Sequence, residues 1–185
     1  SLSMNTVAMA LFPDFLLLDM AGPLEVFSIA NRYLPAAQHY QILTVGTEPG
    51  PLRASNGVVV QPDLLLAQAH EAYDLLLVPG GPGAYNECHP DLLPWLMAAA
   101  PRARRFGSIC TGAFVLGHAG LLDGHRVTTH WHYTERLIKA FPQAIVETDR
   151  IYLQDGRLIT SGGVTAGIDL ALSVVAQDHG KQVAV

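Results

Sequence analysis

The chain has 185 residues, of which 50% are hydrophobic and 15% are charged, a composition that excludes extensive disorder and is typical of a globular fold. Its formal net charge of −5 argues against nucleic-acid binding by this segment, because such binding requires a basic face. No apolar run is long enough to cross a membrane, and we identify no signal peptide. Two cysteines do not make a disulfide framework, which favours a reduced, cytoplasmic setting.

The length suits one α/β domain, and we find no internal repeat, linker or low-complexity tract. We interpret Ser1, Leu2 and Ser3, which precede Met4, as an expression scar. The predicted domain therefore spans residues 4–185.

The first half of the chain alternates short apolar strands with helices. Thr6 to Phe12 is an apolar run of the kind that forms a buried strand. We expect the next helix to begin at Pro23, because proline fits the first turn of a helix, and to end near Tyr33. Further strands are predicted at residues 40–45, 58–60 and 74–78, with a short helix at 62–69.

The second half continues the alternation. Helices are predicted at 90–100, 111–119, 133–141 and 165–179, and strands at 104–109, 126–130, 145–148, 151–154 and 158–160. Asp155 and Gly156 make a hairpin turn between the last two strands. Strands that alternate with helices predict a mainly parallel sheet covered on both faces, a flavodoxin-like three-layer α/β/α sandwich.

Cys110 lies where a predicted strand turns into a helix. Ser108 precedes it by two residues and Gly112 follows it by two, which is the spacing of small residues around a nucleophile elbow. The alternative is a buried structural cysteine, because a free thiol behaves as a small hydrophobe. In the elbow, the start of the following helix would stabilise a thiolate, so we expect Cys110 to be more acidic than Cys88.

Four candidate features follow predicted strands, at the carboxyl edge where parallel sheets bind ligands. They are Asp19, the Gly80-Gly81 pair, Cys110 and His130. Asp19 could instead be only a helix cap, since aspartate is common at that position.

We expect no metal and no cofactor. His130 and His132 would share one face of a strand, but a metal site needs a third and a fourth ligand. Cys88 and His89 occupy a polar loop, and adjacent residues rarely face each other. We assign no chemistry to Asp169, which is unusual in an apolar helix.

Four segments together resemble the ThiJ/PfpI superfamily, which is related to class I glutamine amidotransferases, over almost the whole chain. They are FPDFLLLDMAGPLEVF, LLLVPGG, SICTGAFVLGHAGLLDGHRVTTHW and LITSGGVTAGIDLAL. Two branches are the most similar: the N-terminal domains of AraC-type transcriptional regulators, and the isonitrile hydratases. The ending from Ala176 onward is more similar to the regulators, in which a DNA-binding helix-turn-helix domain follows.

The resemblance also implies roles for individual residues. Cys110 would be the nucleophile, and Asp19 would be the carboxyl group that hydrogen-bonds its thiol. Gly80 and Gly81 would surround an oxyanion-like pocket with the N–H of Thr111. In the protease-like branch a histidine directly follows the cysteine, whereas Thr111 stands here, which counts against protease or amidotransferase chemistry.

His130 corresponds to a histidine near the cysteine in some branches, and we predict that His130 and Trp131 contact a ligand. The family's regulators often respond to amino-acid-like or amine-like metabolites, and aromatic rings attract cations. The alternative for Trp131, as for Tyr133 and Tyr85, is a core or surface aromatic residue, which is more common than a ligand contact.

The interpretation that we favour is a ligand-sensing domain that binds such a metabolite over Cys110 and acts on DNA only through a C-terminal domain outside this chain. The alternative is an isonitrile hydratase-like enzyme, in which Cys110 adds to a small isonitrile and Asp19 moves protons. A weaker possibility is glyoxalase-like or deglycase chemistry on reactive carbonyls. The resemblance also implies a homodimer.

Overall fold

The computed structural model describes residues 5–184, so the interpretation of Ser1 to Ser3 as an expression scar lies outside the described residues. The strands are β1 (Thr6–Leu11), β2 (Gln41–Gly46), β3 (Leu52–Arg53), β4 (Val59–Val60), β5 (Leu64–Leu65), β6 (Leu75–Val78), β7 (Arg105–Ser108), β8 (Arg126–Val127), β9 (Ile145–Val146), β10 (Tyr152–Asp155) and β11 (Leu158–Ser161). The α-helices are α1 (Leu17–Ala30), α2 (Pro82–Asn86), α3 (Leu92–Ala99), α4 (Ala113–His118), α5 (Thr134–Ala140), α6 (Ala166–His179) and α7 (Lys181–Ala184).

A seven-stranded sheet forms the centre of the fold, in the order β10-β11-β7-β6-β1-β2-β5. Its neighbours are parallel except for the β10–β11 hairpin. Every residue of β1, β6 and β7 is buried, because helices cover both faces of the sheet. Helix α1 packs against α6, while α4 packs against α2, α3 and α5. The structure confirms the three-layer α/β/α sandwich.

Helix α1 begins at Leu17, so the predicted start at Pro23 is wrong, and Pro23 lies inside the helix. Close packing against α6 outweighs the unfavourable proline. A Cβ added to Gly22 would lie 2.9 Å from Ile168 Cγ1, and one added to Gly167 would lie 3.2 Å from Pro23 Cγ. The two helices therefore touch through glycine positions, and this contact holds the first turns of α1 at the carboxyl edge of the sheet.

Two other predicted elements are wrong. Residues 62–69 form the edge strand β5 and a 3₁₀ turn instead of a helix, because the Asp63 carboxylate accepts a hydrogen bond from the Thr44 amide and ties the segment to β2. The strand predicted at 126–130 ends at Val127 and pairs with β9 in a separate two-stranded sheet. His130 and His132 therefore lie in a 3₁₀ turn and do not share a strand face.

A buried ionic network holds the far end of α6 against the sheet. The Arg105 guanidinium donates to Asp178 Oδ1 at 2.9 Å, and the Tyr40 hydroxyl donates to Asp178 Oδ2 at 2.7 Å. Asp74 lies 3.6 Å from the same guanidinium. The Arg105 and Asp178 side chains are 6% and 5% exposed, so this pair is shielded from water.

We predict that Arg105→Met lowers the free energy of unfolding by about 3 kcal/mol, because the buried Asp178 carboxylate is left with only the exposed Arg104, 3.9 Å away, as its cation. Arg126→Met is the matched control, since Arg126 pairs with Glu147 on the surface, and it should change stability much less. Urea denaturation followed by circular dichroism measures both. Equal losses in the two variants would contradict the prediction.

Candidate active site

Cys110 lies directly after β7, at the turn into a 3₁₀ helix (Cys110–Gly112) that leads into α4. Its φ of 53° is in the left-handed region, which a residue with a side chain rarely adopts and which stores strain. Gly112 is required at this turn, because an added Cβ would collide with the carbonyl oxygens of Val78 and Pro79. The close approach of Gly112 to the loop after β6 therefore helps to hold the strained backbone of Cys110 in place.

Asp19 is fully buried in the first turn of α1. It is the third residue of the helix, and Leu16 occupies the cap position, so the alternative of a helix cap is wrong. Its Oδ2 accepts a hydrogen bond of 2.9 Å from the Gly80 amide, while Oδ1 is buried without a nitrogen or oxygen partner in the described residues. Burial raises the pKa of Asp19 to about 7, and hydrogen bonds from Gly80 and Cys110 oppose that rise.

The two glycine amides after β6 are both engaged by side chains. Gly80 donates to Asp19, and Gly81 donates to Thr111 Oγ1 at 2.9 Å. A Cβ added to Gly80 would lie 2.6 Å from Thr111 Oγ1 and 2.8 Å from Asp19 Oδ2, so only glycine fits between them. The expected oxyanion-like pocket therefore lacks free amides at Gly80 and Gly81, because the protein's own oxygens occupy them.

The thiol of Cys110 is only 3% exposed. Burial raises its pKa, the charge on Asp19 raises it further, and a hydrogen bond from the Thr111 amide acts in the opposite direction. The expectation that Cys110 is an acidic thiol is therefore wrong for the state in which Asp19 is ionised. Helix α4 has six residues and stabilises a thiolate too little to outweigh these effects.

A cleft of about 410 Å³ is lined in part by Trp131, whereas the predicted ligand contact His130 is not among its lining residues. We name it the Thr129 cleft; its lining residues are Thr129, Trp131, Thr134, Thr148, Asp149, Arg150, Ile151, Gly162, Gly163, Thr165, Ala166 and Asp169. Thr129 joins it to the thiol turn, since its hydroxyl donates to the Cys110 carbonyl at 2.8 Å. Thr129 is therefore the link between the cleft and the thiol turn, and Cys110 itself is not among the lining residues.

The two predicted ligand contacts differ in their surroundings. Trp131 is 76% exposed and lines the cleft, and its ring stacks on His130 with centroids 5.6 Å apart. His130 Nδ1 accepts a hydrogen bond from the His132 amide, so His130 is tied to its own turn. Partial burial lowers the pKa of His130, and His132 lowers it further, which keeps the imidazole neutral at pH 7.

Sequence reasoning missed the contribution of Thr129 and of the cleft residues on the segment 148–151. Asp149 has a φ of 58°, in the left-handed region, which aspartate tolerates better than most residues. No local sequence pattern predicts this conformation. Asp169, to which the sequence assigns no chemistry, lines the cleft from the first turn of α6. Only the tertiary fold brings these segments together.

Cys88 and His89 face different surroundings. Cys88 is exposed, whereas His89 is buried, packs edge-on against Phe12 and hydrogen-bonds the Gly83 carbonyl through Nε2. Within residues 5–184, no group of three or more His, Cys, Asp or Glu side chains is arranged to hold a metal ion. In the same range, no helix has the length and apolar character needed to cross a membrane.

A model of the DJ-1/PfpI family matches residues 5–177. The chain belongs to the DJ-1/PfpI family. The predicted resemblance is confirmed, and the Cys110 turn, Asp19 and the Gly80-Gly81 loop all lie within the matched residues of this DJ-1/PfpI domain.

Curated relatives of the domain include both regulators and an enzyme. The HTH-type transcriptional regulator CdhR of Pseudomonas aeruginosa is 37% identical over 175 residues, which are 95% of this chain and 51% of that protein. Isonitrile hydratase of Pseudomonas putida is 36% identical over 172 residues, which are 92% of this chain and 71% of that protein. The chain thus spans about half the length of the regulator and a larger share, 71%, of the length of the enzyme.

Solved structures of the same fold cover nearly all of the chain. A ThiJ/PfpI family protein from Pseudomonas syringae matches with a TM-score of 0.85 and 27% identity, over 98% of this chain and 72% of that one. An AraC family transcriptional regulator from Pseudomonas putida matches with a TM-score of 0.86 and 23% identity, over 98% of this chain and 96% of that one. The second likeness concerns the fold alone.

The raised pKa of Asp19 predicts a pH dependence of stability for this DJ-1/PfpI domain. The folded state keeps a proton up to about pH 7, whereas the unfolded chain releases it near the ordinary aspartate pKa of 3.8. Stability should therefore fall as pH rises from about 4 to 7, by an amount on the order of 4 kcal/mol from this one group. Urea titrations of wild type and Asp19→Asn at several pH values measure the difference in stability, which should stop changing with pH below about pH 4. A difference that is constant across the whole range would contradict the prediction.

We predict that iodoacetamide modifies Cys88 faster than Cys110 at neutral pH, because Cys88 is exposed and Cys110 is buried with a raised pKa. Asp19→Asn should accelerate modification of Cys110, since it removes the charge that opposes a thiolate. Mass spectrometry follows each cysteine separately, and Cys88 serves as the internal standard. Faster modification of Cys110 in the wild type would refute this order.

Proposed function

We propose that this DJ-1/PfpI domain is the ligand-sensing part of an AraC-type transcriptional regulator. The observation that carries the proposal is the engagement of the Gly80 and Gly81 amides by Asp19 and Thr111. An enzyme that stabilises an anionic transition state needs free donors aimed at the developing charge. With both amides occupied and the thiol 3% exposed, the site is better suited to binding than to turnover.

The ligand of this proposal is a small amino-acid-like or amine-like metabolite bound next to Cys110. The Thr129 cleft supports it, because its volume of about 410 Å³ lies in the range of small-molecule pockets. The exposed ring of Trp131 offers a face to a cationic nitrogen, and Asp149 and Asp169 add negative charge to the lining.

The regulatory output is proposed to pass through a further domain. The relatives CdhR and GbdR of Pseudomonas aeruginosa carry the designation HTH-type transcriptional regulator, and this chain covers 51% and 48% of their lengths. DNA binding would belong to the part of such a protein outside this chain, in keeping with the net charge of −5 here. We further propose a homodimer in the cytoplasm.

A second candidate function is isonitrile hydration, favoured by a buried carboxyl group with a pKa of about 7 beside the thiol. The sulfur of Cys110 would form a C–S bond to the isonitrile carbon, while the thiol proton passes through Asp19 to that carbon. Water would then add across the C=N bond, with its oxygen going to the same carbon and a proton going to the nitrogen. Cleavage of the C–S bond would return the thiol and release an N-substituted formamide.

The test compares turnover with binding. We expect the purified domain to convert an alkyl isonitrile, an α-oxoaldehyde and a peptide no faster than Cys110→Ala does. A screen of amino acids and amines should identify at least one compound that raises the melting temperature, because a ligand of the folded state stabilises it. Turnover of about 1 per second or more that Cys110→Ala abolishes would favour the enzyme. If no compound in the screen stabilises the domain, the sensing proposal fails.

A further inference from the structure

The thiol turn touches both helices of one layer. Asp19 belongs to α1, and Ile109, the residue before Cys110, packs on α6, where a Cβ added to Gly167 would lie 2.8 Å from Ile109 Cγ2. Gly22 of α1 meets Ile168 of α6 equally closely. Because the site is buried and these contacts are tight, volume added at Cys110 presses on α1 through Asp19 and on α6 through Ile109.

The opposite ends of α1 and α6 form an apolar groove. Helix α7 packs against α6, and its Val183 and Ala184 are half-buried in this groove. The other groove residues come from α1, from the 3₁₀ turn that follows it and from α6: Val26, Ile29, Ala30, Tyr33, Leu172 and Val175. The groove is open and holds a volume of about 200 Å³, and α7 buries only Val183 and Ala184 in part, so α7 should open at a low cost in free energy.

The joint between α6 and α7 is a single residue. Gly180 has a φ of 91°, and an added Cβ would meet nothing within 4 Å, so the bend depends on backbone conformation and not on packing. Just before it, Asp178 is held by Arg105 and Tyr40. The end of α6 is therefore anchored to the sheet, while α7 can swing about Gly180 without disturbing that anchor.

We propose that α7 is a conformational strap that reports the state of the Cys110 site: a group bound at Cys110 separates α1 from α6 and releases α7 from the groove between them. The inference deepens the sensing function proposed above and rests on it for its biological meaning. The physical link is the α1–α6 contact, which has the site at one end and the strap at the other.

The exposed Lys181, in the first turn of α7, makes the strap measurable with trypsin. Cleavage after Lys181 requires α7 to open, so its rate follows the population of the open form. Release of the fragment that begins at Gln182 is quantified by mass spectrometry in the Cys88→Ser variant, before and after iodoacetamide has added one carbamidomethyl group to Cys110. We expect the adduct to raise the cleavage rate about fivefold, which corresponds to about 1 kcal/mol in the opening equilibrium.

Two variants test the mechanical link without chemistry at the thiol. Gly22→Ala inserts a methyl group between α1 and α6 and should raise cleavage by a similar factor. Val183→Ser removes the strap's apolar anchor and should raise cleavage in the absence of any adduct, whereas Gln182→Ser, at an exposed position, should not. Circular dichroism confirms that each variant is folded, and cleavage after Arg105, which is buried in β7, reports global unfolding.

Unchanged cleavage after both carbamidomethylation and Gly22→Ala would overturn the strap, even if a metabolite stabilises the domain. Faster cleavage at Lys181 together with equally faster cleavage in the core would also overturn it, because that pattern is global unfolding. If cleavage at Lys181 responds as expected but no metabolite stabilises the domain, the proposed function is contradicted and this inference stands.

Discussion

Two hydrogen bonds from consecutive amides, Gly80 to Asp19 and Gly81 to Thr111, join the three segments that make the site. They tie the loop after β6 to the first turn of α1 and to the turn after β7. The approach is so close that a single methyl group at Gly80 would contact both acceptor side chains. The strained backbone of Cys110 is held in place by these bonds and by the packing of Gly112 under the Val78 carbonyl.

Burial dominates the electrostatics of the site, and the bond from Gly80 opposes it only in part. Asp19 receives one amide, which is too little to compensate for complete burial, and its pKa rises to about 7. The carboxyl group and the thiol therefore share a site that favours low total charge at neutral pH. This arrangement can relay a proton, and it is also sensitive to any ligand that alters the solvation of Asp19 or Cys110.

The layers of the fold and the place of Cys110 could be predicted because they depend on local patterns: apolar runs for β1, β6 and β7, and small residues at fixed spacing around the thiol. The start of α1 could not be predicted, because the packing that lets Pro23 lie inside the helix, against Gly167, is a tertiary contact. The sequence also could not show that the Gly80 and Gly81 amides donate to side chains, since the acceptors Asp19 and Thr111 are distant in sequence. The Thr129 cleft depends on Asp149 and on the end of β8, where tertiary pairing overrode the apparent strand.

The pairing of β7 with β11 has a consequence for how the sheet assembles during synthesis. Gly107 of β7 lies directly against the Ile159 carbonyl of β11, and the two strands pair in parallel. β11 follows β7 in the chain by about fifty residues and must cross over the sheet to reach it, whereas the β10–β11 hairpin can form locally. During synthesis the turn at Cys110 leaves the ribosome well before its neighbouring strand exists. The edge of β7 that carries Gly107 therefore stays without its β11 partner in the nascent chain until residues near 160 have been added.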